Sequence, residues 1–279
     1  AWEFKGRYPG IFKNEKYGTE AKKLFDEAQL LLKKIIEQKL IKANAVFGIF
    51  PANSVEDDIY LYADENRAKV IAEFHTLRQQ GKKSTGIPNI ALSDFIAPHS
   101  SGKKDYLGIF AVTAGIGVPE LVKKYENEHD DYNAILVKAL ADRLAEALAE
   151  YLHKKVRTEY WGYVQNENLT SNEIIRENYA GIRPAPGYPA QPDHTEKSTL
   201  FELLKVTENA NIELTESLAM FPAASVCGLY FANSKAKYFT IGKISKDQVE
   251  DYALRKHLSL AEVEKWLGSN LNYVKTVYK

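Results

Sequence analysis

The chain predicts an α+β fold, a single domain built on an antiparallel sheet with helices packed against it. Three observations carry that reading. Runs rich in Val, Ile, Tyr and Phe come in neighbouring pairs instead of alternating regularly with helices, two long stretches have helical periodicity, and no internal repeat or low-complexity linker divides the 279 residues. At 45% hydrophobic and 27% charged, such a chain buries a substantial core.

Residues 19–40 place Leu24, Phe25, Ala28, Leu31, Leu32, Ile35 and Ile36 at helical spacing with charges opposite, which predicts an amphipathic packing helix. Short β-rich runs at 45–50, 57–63 and 67–77 predict antiparallel strands, the last two joined by the turn-like Asp64-Glu65-Asn66. Two more strands are expected at 90–96 and 106–113, broken by a polar loop at 98–104. Gly115 and Gly117 form a Gly-x-Gly lacking the third glycine and the lysine of a phosphate loop, and Pro119 reads as the first residue of a helix. A long helix follows at 131–157, with Leu136, Leu140, Leu144, Leu148 and Leu152 along one side. Ala180-Gly181 looks like a helix end, and Asp193 with Glu196 looks like the cap of the next helix. A strand pair is expected at 225–232 and 236–244, linked through Asn233-Ser234, and two final helices carry the capping boxes Ser245/Gln248 and Ser259/Glu262, with Gly268 ending the second.

Composition excludes several functions. Thirty-seven basic and thirty-seven acidic residues give no net field for a polyanion, so nucleic acid is not the expected partner. The single Cys227 excludes an internal disulfide and any multi-cysteine metal site; it suits a reducing cytoplasm and reads as a small buried strand residue. No apolar run approaches the ~20 residues that cross a bilayer, so no membrane is expected. A start at Ala1 without methionine suggests a processed chain or a piece of something longer.

The best candidate for function is the stretch from Arg183 to Lys197, whose four prolines and glycine exclude helix interior and central strand. A stiff loop presents Arg183 and Tyr188 with little left to order on binding. Asp142, Glu146 and Glu150 fall at i, i+4, i+8 on the long helix. They are either a solvated face or, on a cleft, a site for a sulfonium or ammonium. Asp94 interrupts an apolar run at its exit, as a hydrogen-bonded strand-end aspartate or as a holder of a ligand's amino or hydroxyl groups. Glu150/His153 and Glu126/His129 share the Glu-x-x-His spacing of di-iron bundles; a solvated face is the preferred reading, with a free-standing metal-dependent hydrolase as the alternative function.

Long motifs then resemble the activation, or S-adenosylmethionine-binding, domain of cobalamin-dependent methionine synthase. They include Phe-Pro-Ala-Asn-Ser at 50–54, Leu-Arg-Gln-Gln at 77–80, Ser-Asp-Phe-Ile-Ala-Pro at 93–98 and the helix from Asp131 to Ala147. Added to these are the proline loop, Leu-Thr-Glu-Ser-Leu-Ala-Met at 214–220, and Asp-Gln-Val-Glu-Asp-Tyr-Ala at 247–253. The resemblance runs essentially end to end. It implies a C-shaped α+β domain over 1–279 with a bent antiparallel sheet, part of a longer multidomain enzyme.

The same matching implies that Arg183, Ala185, Gly187 and Tyr188 hold adenosylmethionine and that Asp94 contacts its amino acid or ribose end. Tyr238 and Phe239 would line the pocket, with Glu177, Glu146 and Asp142 near the sulfonium. The implied role is reactivation by reductive methylation: a flavodoxin-type partner supplies an electron to oxidised cobalamin on a partner domain, and adenosylmethionine methylates the cobalt. Gln191 stands where some relatives carry cysteine, which argues against an essential thiol there. Without homocysteine-, folate- and cobalamin-binding segments, this stretch is not expected to make methionine unaided.

Overall fold

Strand β4 (Asp105–Ile116) is the centre of the molecule, and nearly all of it is buried because helices cover both faces of its sheet. The structure is a computed structural model describing residues 4–275. Before β4 come helix α1 (Gly18–Glu37) and strands β1 (Lys42–Val55), β2 (Asp58–Tyr62) and β3 (Val70–His75). After it come helices α2 (Val118–Asn127), α3 (Asp131–Lys155), α4 (Ser171–Ile175), α5 (Glu196–Leu204) and α6 (Val206–Ala210). The chain then adds a short β5–β6 pair (Glu213–Leu214, Met220–Phe221), strand β7 (Ser225–Tyr230), and helices α7 (Lys246–Lys256) and α8 (Leu260–Trp266).

The main sheet has the order β3-β2-β1-β4-β7, antiparallel throughout, so the α+β expectation holds. Alternation along β4 sorts its side chains. Leu107, Ile109 and Ala111 face the cluster that holds Leu200 and Leu204 of α5 and Val206 of α6. Phe110 and Val112 face Ala149 and Leu152 of α3 on the other side. A third cluster joins Leu77 to α7 and α8 through Ile244, Val249, Tyr252 and Val263.

Several expected elements are corrected. The run 90–96 is not a strand: Leu92–Phe95 is a 3-10 turn, closed by the Asp94 carboxylate accepting the Ala91 N–H at 2.9 Å. The segment 236–244 forms no strand; its one bridge is Ile244 to Leu271, and Gly242 has left-handed backbone (φ +75°). The free edge of β7 is already taken by the proline loop, through the Ile182–Phe231 bridge and the Leu229 N–H to Pro184 carbonyl bond at 2.9 Å. Gly181 does not end a helix; α4 stops at Ile175, and Gly181 (φ +81°) lets the chain pass the Phe231 carbonyl, where a Cβ would sit 2.3 Å from that oxygen.

Two caps also differ. Asp193 accepts from Thr195 N and Oγ1 as a local turn, and is further held by Tyr252 and Lys256. The Gln248 side chain caps nothing; its amide pairs with both the N–H and the C=O of Arg78, bonding α7 to the strand exit. The Ser259/Glu262 box forms as expected. Cys227 is buried in β7, where burial pushes its thiol up to about 12, so it is inert at neutral pH.

Candidate functional site

The proline loop is two interlocked turns. Tyr188 N–H donates to the Ala185 carbonyl at 3.1 Å, Gly187 N–H to Gln191 at 2.7 Å, and Gln191 N–H back to Tyr188 at 2.9 Å. Gly187 has φ +94°, and a Cβ there would lie 2.3 Å from the His194 ring, so only glycine fits. The buried Gln191 amide donates to the His75 carbonyl at 2.7 Å, and Ile241 N–H donates to the Pro189 carbonyl at 2.9 Å. The loop is thus fastened to β7, β3 and the 236–244 segment at once.

That fastening shapes a cavity of about 420 Å³, within the usual range for small-ligand sites. The loop contributes Arg183, Pro184, Ala185, Tyr188, Pro189 and Ala190; α3 contributes Glu146; the turn after α4 contributes Glu177; β7 contributes Val226; and the facing segment contributes Tyr238, Phe239 and Thr240. Tyr188 is 62% and Tyr238 41% exposed, so two aromatic faces are open to a ligand. The Tyr238 hydroxyl accepts the Arg183 N–H at 3.0 Å, which locks the two walls together.

The Arg183 side chain does not hang free. Its Nη1 donates to Glu150 Oε2 at 2.5 Å and to the Tyr179 hydroxyl at 3.3 Å. Burial opposes its charge, but the hydrogen bond to Glu150 and that residue's negative charge prevail and hold the guanidinium above its ordinary value. Burial lifts the Glu177 carboxyl above its usual range, against the pull of Arg183. Glu177 also has left-handed backbone (φ +56°), because it closes α4 in a Schellman motif: its N–H bonds the Ile174 carbonyl and the Asn178 N–H bonds that of Glu173. Glycine is the usual residue at such a position, and here a carboxylate faces the cavity instead.

Of the residues expected at the site, the structure brings together Arg183, Ala185, Tyr188, Tyr238, Phe239, Glu177 and Glu146, with Gly187 in the turn supporting Tyr188. Asp94 lies elsewhere. Its two oxygens receive the Arg78 guanidinium at 2.7 and 2.8 Å, and it borders a different cavity with Ser54, Pro98 and His99. It reaches the site only through its neighbour Phe95, whose ring meets Phe239 edge-on at 6.2 Å. Asp142, one turn before Glu146, opens on a third cavity beside Pro119 and Phe221. The hydrogen-bonded reading of Asp94 is therefore the one its geometry supports.

The Glu-x-x-His pairs part company. Glu126 and His129 are exposed at the end of α2, but His153 is fully buried, stacked on Tyr230 at 5.0 Å and edge-on to Tyr179 at 5.1 Å, contrary to the solvated face expected. Burial, with Arg157 and Arg183 nearby, pushes His153 down to about 2. Among the described residues no three His, Cys, Asp or Glu converge as a metal site, and no helix is long and apolar enough to cross a membrane. Tyr179 and Arg157 were not singled out by the sequence; Glu150 was, in the i, i+4, i+8 stripe and in a Glu-x-x-His pair, but not as the partner of Arg183.

A solved structure described as the MetH reactivation domain bound to AdoHcy superimposes with a TM-score of 0.94 at 55% sequence identity, covering 96% of this chain and 82% of that one. The family model described as vitamin B12 dependent methionine synthase, activation domain, matches residues 1–257. The chain therefore belongs to the family of activation domains of vitamin B12-dependent methionine synthase.

Proposed function

We propose that this chain binds S-adenosylmethionine in the cavity behind the proline turn and presents its methyl group to cobalamin on a partner domain, in the reductive methylation that reactivates a cobalamin-dependent methionine synthase. One observation carries the reading: a single open cavity joins a fixed arginine and two open tyrosine faces to two carboxylates. The AdoHcy complex of the similar domain supports the ligand class, since that molecule is the same ligand without the transferred methyl.

Each group suits one part of a zwitterionic, aromatic, cationic ligand. Arg183 offers N–H groups to a carboxylate, the rings of Tyr188 and Tyr238 offer faces to a purine, and Glu146 and Glu177 offer negative charge to a sulfonium. Loop backbone between Pro184 and Ala190 orients the whole with little entropy to lose. When bound, adenosylmethionine supplies the activated methyl; the protein supplies orientation and electrostatics. A flavodoxin-type protein is the proposed electron donor. Asp94 and Asp142 stand outside the contact set.

Calorimetry on the full chain tests the reading. Adenosylmethionine and AdoHcy are expected to bind, and Arg183→Ala to weaken both about tenfold or more, the scale of a lost charge-assisted hydrogen bond. Absence of binding by the wild-type chain removes the proposal.

A further inference from the structure

Helix α3 sends two carboxylates, one turn apart, toward the same end of the cavity, but they do different things. Glu146 is exposed in the wall. Glu150 lies behind it, taking Arg183 Nη1 on Oε2, while its buried Oε1 stands 3.8 Å from Arg157 Nη1. Arg157 is fully buried and already paired: its Nε and Nη2 donate to Glu167 at 2.7 and 2.8 Å, and its guanidinium lies 4.0 Å from the centre of the Tyr179 ring. Arg157 and Glu167 cancel one another. That leaves Glu150 to cancel Arg183, and Glu146 and Glu177 without a cation hydrogen-bonded to either.

Resting on the reading of this cavity as an adenosylmethionine site, we propose that Glu150 is a positioning and specificity-determining residue. It holds Arg183 against the cavity wall and neutralises it, so that the cavity keeps an excess of two negative charges and favours a sulfonium over the uncharged thioether of the same shape. Without Glu150, the arginine would be free to swing toward either cavity acid and offset its attraction for a cation. The pair is partly buried, with side chains 16% and 24% exposed, so salt screens it less than a surface pair.

The test is the ratio of adenosylmethionine to AdoHcy affinity, measured by calorimetry on the full chain. A purely structural role would weaken both ligands alike and leave the ratio unmoved. Glu150→Gln, which keeps the shape and removes the charge, is expected to lower the ratio about tenfold, the effect of one unit charge about 10 Å away at an effective dielectric near 20. Arg183→Met is expected to raise it, although both affinities fall, and the double variant to return it to within about twofold of wild type.

Glu150→Asp retains the charge and is expected to keep the wild-type ratio; should the glutamine variant fail to fold, the rise expected in Arg183→Met carries the test, and a ratio that does not rise there overturns the proposal. An unchanged ratio in Glu150→Gln, or a double variant that stays displaced, overturns the role of Glu150 while leaving the cavity reading intact. A wild-type chain that binds neither ligand overturns both.

Discussion

Glu177 sets a carboxylate in the cavity wall at a backbone position that favours glycine. Its left-handed backbone costs an L-residue about 1 kcal/mol that glycine would not incur. Glu177→Gly is therefore expected to raise stability by roughly 0.5–1 kcal/mol in urea unfolding while weakening adenosylmethionine binding; a variant that loses stability would show that the carboxylate supports the fold. His153 makes a second residue-scale prediction. Its folded value of about 2 lies below the ordinary 6.5, so as pH falls through 6.5 the unfolded chain takes up a proton that the folded one refuses. Stability tied to this residue is present above pH 6.5 and is lost at about 1.4 kcal/mol per pH unit below it. His153→Phe keeps the stacking on Tyr230 and does not titrate. Unfolding midpoints between pH 7.5 and 5.5 should therefore fall more steeply in wild type than in the variant.

Among the elements, α7 depends on buried charge. Lys256 donates to Asp193 at 2.9 Å and to Glu196, and Tyr252 donates to Asp193 at 2.8 Å, joining α7 to the start of α5. Lys256→Met leaves two buried carboxylates without their cation, and a loss of about 3–5 kcal/mol is expected in chemical unfolding. Helix α1, strands β1 to β4 and helix α3 were legible in the sequence because apolar residues recur at helical spacing in the helices and runs rich in Val, Ile, Tyr and Phe mark the strands. The strand expected at 236–244 does not form, because a competitor took its place: Ile182 and Pro184 occupy the β7 edge from some 50 residues away in sequence. Asp94 was read two ways from the sequence, and its pairing with Arg78 was hidden for a related reason. Its partner Arg78 lies beyond any local pattern, and the matching of motifs assigned it to a ligand. The proline loop and Tyr238 were legible, one from composition and the other from family resemblance. Glu150 was seen on the correct side of α3, but a helical stripe does not reveal an arginine 33 positions further on.

At the scale of the whole molecule, the sheet is a platform whose central strand β4 is buried on both faces, and its last strand holds the proline loop as an extra edge. A ligand that grips this loop, α3 and the 236–244 segment together binds only the folded state. At a hundredfold excess over its dissociation constant it should add about 2.7 kcal/mol of stability. Where the ligand sits decides the account. A crystal of this chain grown with saturating adenosylmethionine should show difference density in the cavity between Arg183, Tyr188 and Tyr238, with the sulfonium on the side of Glu146 and Glu177. Density in the Ser54–Asp94–His99 cavity instead, or an empty loop cavity beside a ligand bound elsewhere, would contradict it.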